Sequence, residues 1–245
     1  RGNFGQYFTP REIVKFIVDV LTITHDSKVL DTSCGSGGFL LYALNKVRNE
    51  ATDYYPNYKN DAKQYAKWFP YWHDFAEKNL YGIEINEQIS RAAKMNMIKE
   101  QTGNKGFEYG TFDFIITNPP FGSNIRQTEQ AYLKTYQLGK KEEDWLAVKA
   151  KAGDNTRDGQ QSEVLFIEQD YLFLKEGGML AIVLPDGIIT NSSMQYVRTQ
   201  LEDWFRIVAV VSMPQTAFAA NGAGVKSSVL FLKKWPKNHT EELKS

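Results

Sequence analysis

The residues whose types and spacing speak most directly of chemistry are Asn118-Pro119-Pro120-Phe121. An amide oxygen and a neighbouring backbone carbonyl are hydrogen-bond acceptors, and two successive prolines fix the backbone that carries them. Such a pair suits one task in particular, gripping both hydrogens of a planar exocyclic amine whose lone pair is delocalised into its ring. Held in that way, the nitrogen turns pyramidal and the lone pair becomes available for attack. In this reading the Asn118 side-chain oxygen and the Pro119 carbonyl are the acceptors, set in place before substrate arrives. Phe121 then offers a face on which a base swung out of a duplex can stack. The plainer alternative is a rigid proline turn with Phe121 as a core plug, but the position at the end of an apolar strand-like run favours the chemical reading.

A second constellation is the turn Thr32-Ser33-Cys34-Gly35-Ser36-Gly37-Gly38, between a short apolar run and a helix-forming segment. Glycine lets a backbone approach a nucleotide-like ligand closely, and a helix N-terminus beside it favours polar groups. The spacing is not that of a dinucleotide fingerprint, and no Lys-Ser/Thr pair follows as in a P-loop. Glu84 closes the next strand-like run, where a carboxylate can accept hydrogen bonds from both hydroxyls of a ribose. The three histidines (His25, His73, His239) are scattered, and the single cysteine, Cys34, reads as a small packed residue rather than a nucleophile. One cysteine excludes a disulfide framework and a Cys-based zinc site, so no metal site is expected.

Elements to position these residues can be read along the chain. Thr9 and Glu12 have the spacing of a capping box with Pro10 at the first helical position, and Ile13, Val14, Phe16, Ile17, Val20 and Leu21 then mark one buried helix face. Strands are expected over residues 28–31, 80–85, 112–117, 179–184, 207–211 and 228–232, with helices over 39–48, 87–99, 163–175 and 193–204. The Gly177-Gly178 pair should end the third of these helices. Residues 49–78 mix aromatic and charged side chains with weak periodicity and read as a surface insertion, and 123–160 reads as a long loop. Strands alternating with helices predict a doubly wound, mostly parallel α/β sheet, with one antiparallel strand because no helix joins the last two. A doubly wound sheet of seven strands needs one more strand and helix between residues 100 and 112. Eleven residues cannot hold them, so a segment is expected to be missing near 99–105.

The composition is that of a globular chain, 42% hydrophobic and 24% charged over 245 residues, without an apolar run long enough for a membrane helix or a recognisable signal peptide. The expectation is one catalytic domain over 1–245, without a membrane partner, in the cytoplasm. Formal net charge is zero, from 29 basic and 29 acidic residues. Duplex-binding proteins usually carry a basic excess. Here only the stretch from Arg206 to Lys234, with Arg206, Lys226, Lys233 and Lys234 and no acid, forms a local basic run. If the substrate is a polyanion, another domain or subunit must grip it.

These motifs resemble those of adenine-N6 DNA methyltransferases, most closely the modification (M) subunits of type I restriction-modification systems. Gly5-Gln6-Tyr7-Phe8-Thr9-Pro10-Arg11-Glu12 is similar to that family's first cofactor-binding motif, and Gly35-Ser36-Gly37-Gly38 to its glycine loop. Glu84 corresponds to its ribose-binding acid, Asn118 to Phe121 to its catalytic tetrad, and Val211-Ser212-Met213-Pro214 with Phe218 and 222–231 to its late segment. The resemblance implies a seven-stranded Rossmann-like methyltransferase sheet and S-adenosyl-L-methionine as cofactor, held by Gln6 to Arg11, Asp31, the glycine turn and Glu84. It implies catalysis by Asn118 to Phe121, with Phe121 and Phe218 against the flipped base. The implied partners are double-stranded DNA, a specificity (S) subunit, a restriction (R) subunit and a second M copy. Thr32-Ser33 departs from the family's usual Pro-Ala. M subunits are also longer, with helical regions before and after this core, so the segment alone is expected to be weak or silent. Two rivals stand beside this reading: a methyltransferase acting on a protein glutamine amide or an RNA amino group, and a non-catalytic DNA-binding or assembly module.

Overall fold

Helix α1 (Arg11–Val20) buries Val14, Ile17 and Val18, whereas Phe16 and Val20 lie 40% and 52% exposed at the edges of its apolar stripe. The expected capping box is not formed. Pro10 has extended geometry (φ −53, ψ 141) and is itself the N-cap, its carbonyl accepting from Ile13 and Val14 N–H at 3.0 Å each. Thr9 is thus one residue too early to cap, and its hydroxyl is used elsewhere. The structure, a computed structural model, describes residues 9–84, 107–122, 124–126, 133–141, 156–218 and 225–236. Gln6, Tyr7, Phe8, the expected helix 87–99, the 99–105 junction and much of the 123–160 segment lie outside them.

Strand β1 (Val29–Asp31) is wholly buried. After the glycine turn, α2 (Gly38–Tyr54) runs well past its expected end near Arg48. A further helix, α3 (Ala62–Lys78), follows, started by Asp61, whose carboxylate accepts from Lys63 and Gln64 N–H. Residues 49–78, read as an excursion of weak periodicity, are therefore largely helical. The reason the periodicity is blurred is visible: the aromatic side chains pack on one another as well as on the core. Tyr58 stacks on Trp68 at 4.0 Å, Trp68 and Phe69 meet Trp72, and the Arg48 guanidinium lies 5.4 Å from the Trp72 ring.

Strand β2 (Leu80–Gly82) is shorter than the expected 80–85, and β3 (Phe112–Thr117) matches expectation. Strands β4 (Asn124–Arg126) and β5 (Gly159–Gln161) pair antiparallel. Helix α4 (Ser162–Phe173) is buried on nearly all sides. It ends before Gly177-Gly178 because β6 (Leu174–Pro185) already begins at Leu174, opposite Phe112. The glycine pair sits in the irregular part of that strand instead, where Asp113 O would lie 3.0 Å from a Cβ on Gly178. A short α5 (Asp186–Thr190) and a 3₁₀ turn (Ser192–Met194) lead to α6 (Gln195–Trp204), and then β7 (Phe205–Ser212) and β8 (Ser227–Lys234) complete the sheet among the described residues.

The sheet order is β2-β1-β3-β6-β8-β7, with β2, β1, β3 and β6 parallel and β8 antiparallel to both its neighbours. One strand is antiparallel, as expected, but six strands rather than seven form the sheet among the described residues. One face packs Val14, Ile17, Phe39, Leu40 and Phe75, from α1, α2 and α3; the other packs Val164, Ile167, Val197 and Leu201, from α4 and α6. Helices thus cover both faces, and the adjacent strands β1 and β3 deliver their C-terminal residues to one end of the sheet.

Candidate active site

The turn after β1 is held against the residues after β2. Ile83 N–H donates to the Asp31 carbonyl and Cys34 N–H to that of Ile83, which brings Glu84 beside the glycine turn. Gly37 is the N-cap of α2 in left-handed geometry (φ 83), a conformation that excludes most other residues. Cys34 is buried, with Sγ 2.9 Å from where a Cβ on Gly82 would stand, which accounts for it as a packed side chain. A cleft open to solvent is bordered by Thr9, Asp31, Ser33, Gly35, Ser36, Gly38 and Asn118. A Cβ on Gly35 or Gly38 would meet no atom within 4 Å, so the turn faces free space that a ligand can fill. Pro10 is half-buried at the start of α1 and Arg11 is exposed beside it.

Asn118 follows directly on β3 and is half-buried. Its Nδ2 donates to Thr9 Oγ1 at 3.0 Å, while its Oδ1 is buried and has no hydrogen-bond partner. A buried acceptor left unpaired costs free energy, so its presence beside a cleft points to a donor supplied by a ligand. Asp31 repeats the pattern: Oδ1 accepts from Ser33 N–H at 3.1 Å, and Oδ2 is buried without a partner. Burial raises the Asp31 carboxyl to about 7, and the negative charge of Glu84 adds to that, against the hydrogen bond from Ser33 N–H and the nearby Thr117 hydroxyl.

Beneath the cleft runs a polar network that the sequence reading missed. Thr32 Oγ1 donates to Asp170 Oδ1 at 2.8 Å and lies 3.2 Å from Thr117 Oγ1, while the Ser33 and Thr117 hydroxyls are 2.6 Å apart. Asp170 is wholly buried on α4, and burial holds its carboxyl well above the usual range. The signal lay in α4 itself, where Glu163, Glu168 and Asp170 stand in an otherwise apolar segment with no basic residue. Phe121 is half-buried, packed against the cluster that contains Phe39 and Phe218. Phe218 is 2% exposed, so in this arrangement its ring supports that cluster from within. Among the described residues no group of His, Cys, Asp and Glu is placed to hold a metal ion.

The sheet order, with helices on both faces, gives the chain a Rossmann-like fold. The chain belongs to the N-6 DNA methylase family, whose signature covers residues 1–243. It is 26% identical over 238 residues to the type I restriction enzyme EcoEI methylase subunit of Escherichia coli, covering 95% of this chain and 43% of that one. To the type II restriction enzyme and methyltransferase RM.BcgI of Heyndrickxia coagulans it is 26% identical over 246 residues, 97% of this chain and 33% of the other. Among solved structures, the EcoKI M protein superposes with a TM-score of 0.64 at 23% identity, covering 96% of this chain and 45% of that one. The type I methyltransferase subunit of Streptococcus thermophilus gives 0.58 at 19%, covering 95% and 46%. The chain thus spans less than half the length of these relatives.

Proposed function

We propose that this chain is the catalytic core of a DNA methyltransferase that transfers a methyl group from S-adenosylmethionine to the N6 amine of adenine, within the modification subunit of a type I restriction-modification complex. The observation that carries the proposal is the buried, unpartnered Asn118 Oδ1, oriented by the hydrogen bond from Asn118 Nδ2 to Thr9. That oxygen and the Pro119 carbonyl accept from the two amine hydrogens, and Phe121 carries the flipped base. The cofactor's amino-acid end suits the unpartnered Asp31 Oδ2, its ribose suits Glu84, and within the turn Gly35-Ser36-Gly37-Gly38 the open space at Gly35 and Gly38 leaves room for it. Thr9 borders the same cleft, and the family resemblance assigns Pro10, Arg11, Gln6, Tyr7 and Phe8 to the cofactor as well. When bound, S-adenosylmethionine would supply an electrophilic methyl on a sulfonium leaving group, to an amine nitrogen that the Asn118 and Pro119 acceptors make nucleophilic and that gives up one proton to water. Prealigned acceptors lower the barrier because no dipole has to reorient during the reaction.

The partners follow the same reading: double-stranded DNA, a specificity subunit that reads sequence, a restriction subunit and a second modification subunit, all in the cytoplasm. No helix among the described residues is long and apolar enough to cross a membrane. The test is 6-methyladenine in digested DNA from cells carrying the full-length gene with its neighbours, against Asn118→Ala. Loss of the modified base on substitution, with a rate at least about 10²-fold lower in vitro, is the expected result. If expressed and assembled wild-type protein yields no 6-methyladenine, the DNA assignment fails, and protein-glutamine or RNA substrates are assayed next.

A further inference from the structure

Hydrogen bonds tie the Asn118–Phe121 strap to the first turn of α4, away from the cofactor turn. Ser162 Oγ donates to the Pro120 carbonyl at 2.9 Å, and Gly122 N–H is shared between the two carboxylate oxygens of Glu163 at 3.2 and 3.3 Å. The Ser162 hydroxyl also lies 3.2 Å from Glu163 Oε2, so the two side chains form one unit. Both residues are buried, at 7% and 3% exposure. The two anchored backbone groups belong to the peptide planes on either side of the Phe121 Cα. Because each plane is rigid, anchoring both fixes both backbone torsions of Phe121. Upstream, the rings of Pro119 and Pro120 set φ. Downstream, Gly122 turns the chain away at φ 76, where a side chain would be strained. Beyond it, Asn124 pairs antiparallel with Gln161, the residue before α4.

A buried carboxylate is a costly way to hold a loop unless its hydrogen bonds matter, since an apolar residue would otherwise suit an apolar helix. The first turn of α4 lowers that cost, because the helix N-terminus favours negative charge. We propose that Glu163 and Ser162 are positioning residues: they set the Phe121 ring at a fixed place relative to Asn118 Oδ1, and so fix where the target base stacks. The inference rests on the proposed function for its consequence in catalysis, but its structural half stands by itself.

The experiment uses the full-length protein assembled with its partner subunits, as wild type, Glu163→Leu, Glu163→Gln and Ser162→Ala. The first readout needs no turnover: hydrogen exchange of the peptide spanning Asn118 to Asn124. Faster exchange in Glu163→Leu, with near wild-type protection in Glu163→Gln (whose amide oxygen still accepts from Gly122), is expected. The second readout is methyl transfer and the fluorescence of 2-aminopurine placed at the adenine that the wild type methylates. Glu163→Leu should lower kcat by about 10²-fold, as for a reacting group displaced by an ångström. It should also alter the stacked-base signal while S-adenosylmethionine affinity stays within about twofold, inside the scatter of a surface change. Glu163→Gln should recover most of the rate, and Ser162→Ala should fall between. Wild-type exchange, or wild-type kcat and fluorescence, in Glu163→Leu overturns the inference. So does equal loss of cofactor affinity and rate in the Leu and Gln variants. If exchange responds as expected but the wild type never methylates adenine, the functional reading fails and the anchoring of the strap stands.

Discussion

At the scale of single residues, the site is built from acceptors kept without partners. Asn118 Oδ1 and Asp31 Oδ2 are both buried and unpaired, at the C-terminal ends of adjacent strands. Asp31 carries a consequence for pH. Its carboxyl is at about 7 in the folded chain, above the ordinary 3.8. Between those values the folded state holds the proton and the unfolded state does not, so this group's contribution to stability is present below about 4 and lost as pH rises through about 7. A cationic ligand group needs the ionised form, so S-adenosylmethionine binding should strengthen as pH rises. Calorimetry at pH 6 and 8 should show affinity about tenfold weaker at the lower pH, one unit below the Asp31 midpoint, with protons released on binding. Asp31→Asn should bind weakly at both and release none; an unchanged pH profile in that variant would assign the dependence elsewhere. Asn118, the glycines and Glu84 were legible because their types and order carry chemistry. Thr9 as the partner of Asn118 was not, since the two are 109 residues apart.

At the scale of elements, α4 does more than its apolar sequence advertises. Its three acids each reach a different loop: Glu163 the strap, Glu168 the N–H groups of Gln137 and Leu138, and Asp170 the Thr32 hydroxyl. Thr32-Ser33, the departure from the family's usual Pro-Ala, thus has an acceptor beneath it in Asp170. Burial raises the Asp170 carboxyl well above 3.8, so it too lowers stability as pH rises above its unfolded value. Asp170→Asn keeps an oxygen for Thr32, and denaturant titration should show stability at pH 8 equal to or above wild type with a flatter pH dependence. Asp170→Ala leaves Thr32 without that acceptor and should cost about 1–3 kcal/mol. If the Asn variant is the less stable of the two at pH 8, the ionised carboxylate contributes more than its burial costs. Element boundaries were legible where one burial pattern ruled, as in β3. They were not where side chains packed on each other, as in α3, or where a strand took over from a helix, as at Leu174.

At the scale of the whole molecule, a formal net charge of zero, from 29 basic and 29 acidic residues, offers no overall basic excess to a polyanion. On the proposed function, duplex affinity measured against salt should therefore fall gently for this chain alone. The slope should steepen by about 0.9 for each phosphate contact added on assembly with the specificity subunit. Equal slopes before and after assembly would mean that this subunit makes the phosphate contacts itself.

The alternation of apolar runs along the chain was enough to determine a doubly wound, mostly parallel sheet with one antiparallel strand, and to put the glycine turn and Asn118 at strand ends. Period and turn chemistry are local, so neighbouring residues record them. Only the tertiary structure decided that β1 and β3 lie side by side, that Thr9 orients Asn118 instead of capping α1, and that Glu163 and Asp170 reach from one buried helix to the strap and the glycine turn. Those contacts join residues far apart in the chain, and their hydrogen bonds exist only because burial removes the water that would otherwise take their place.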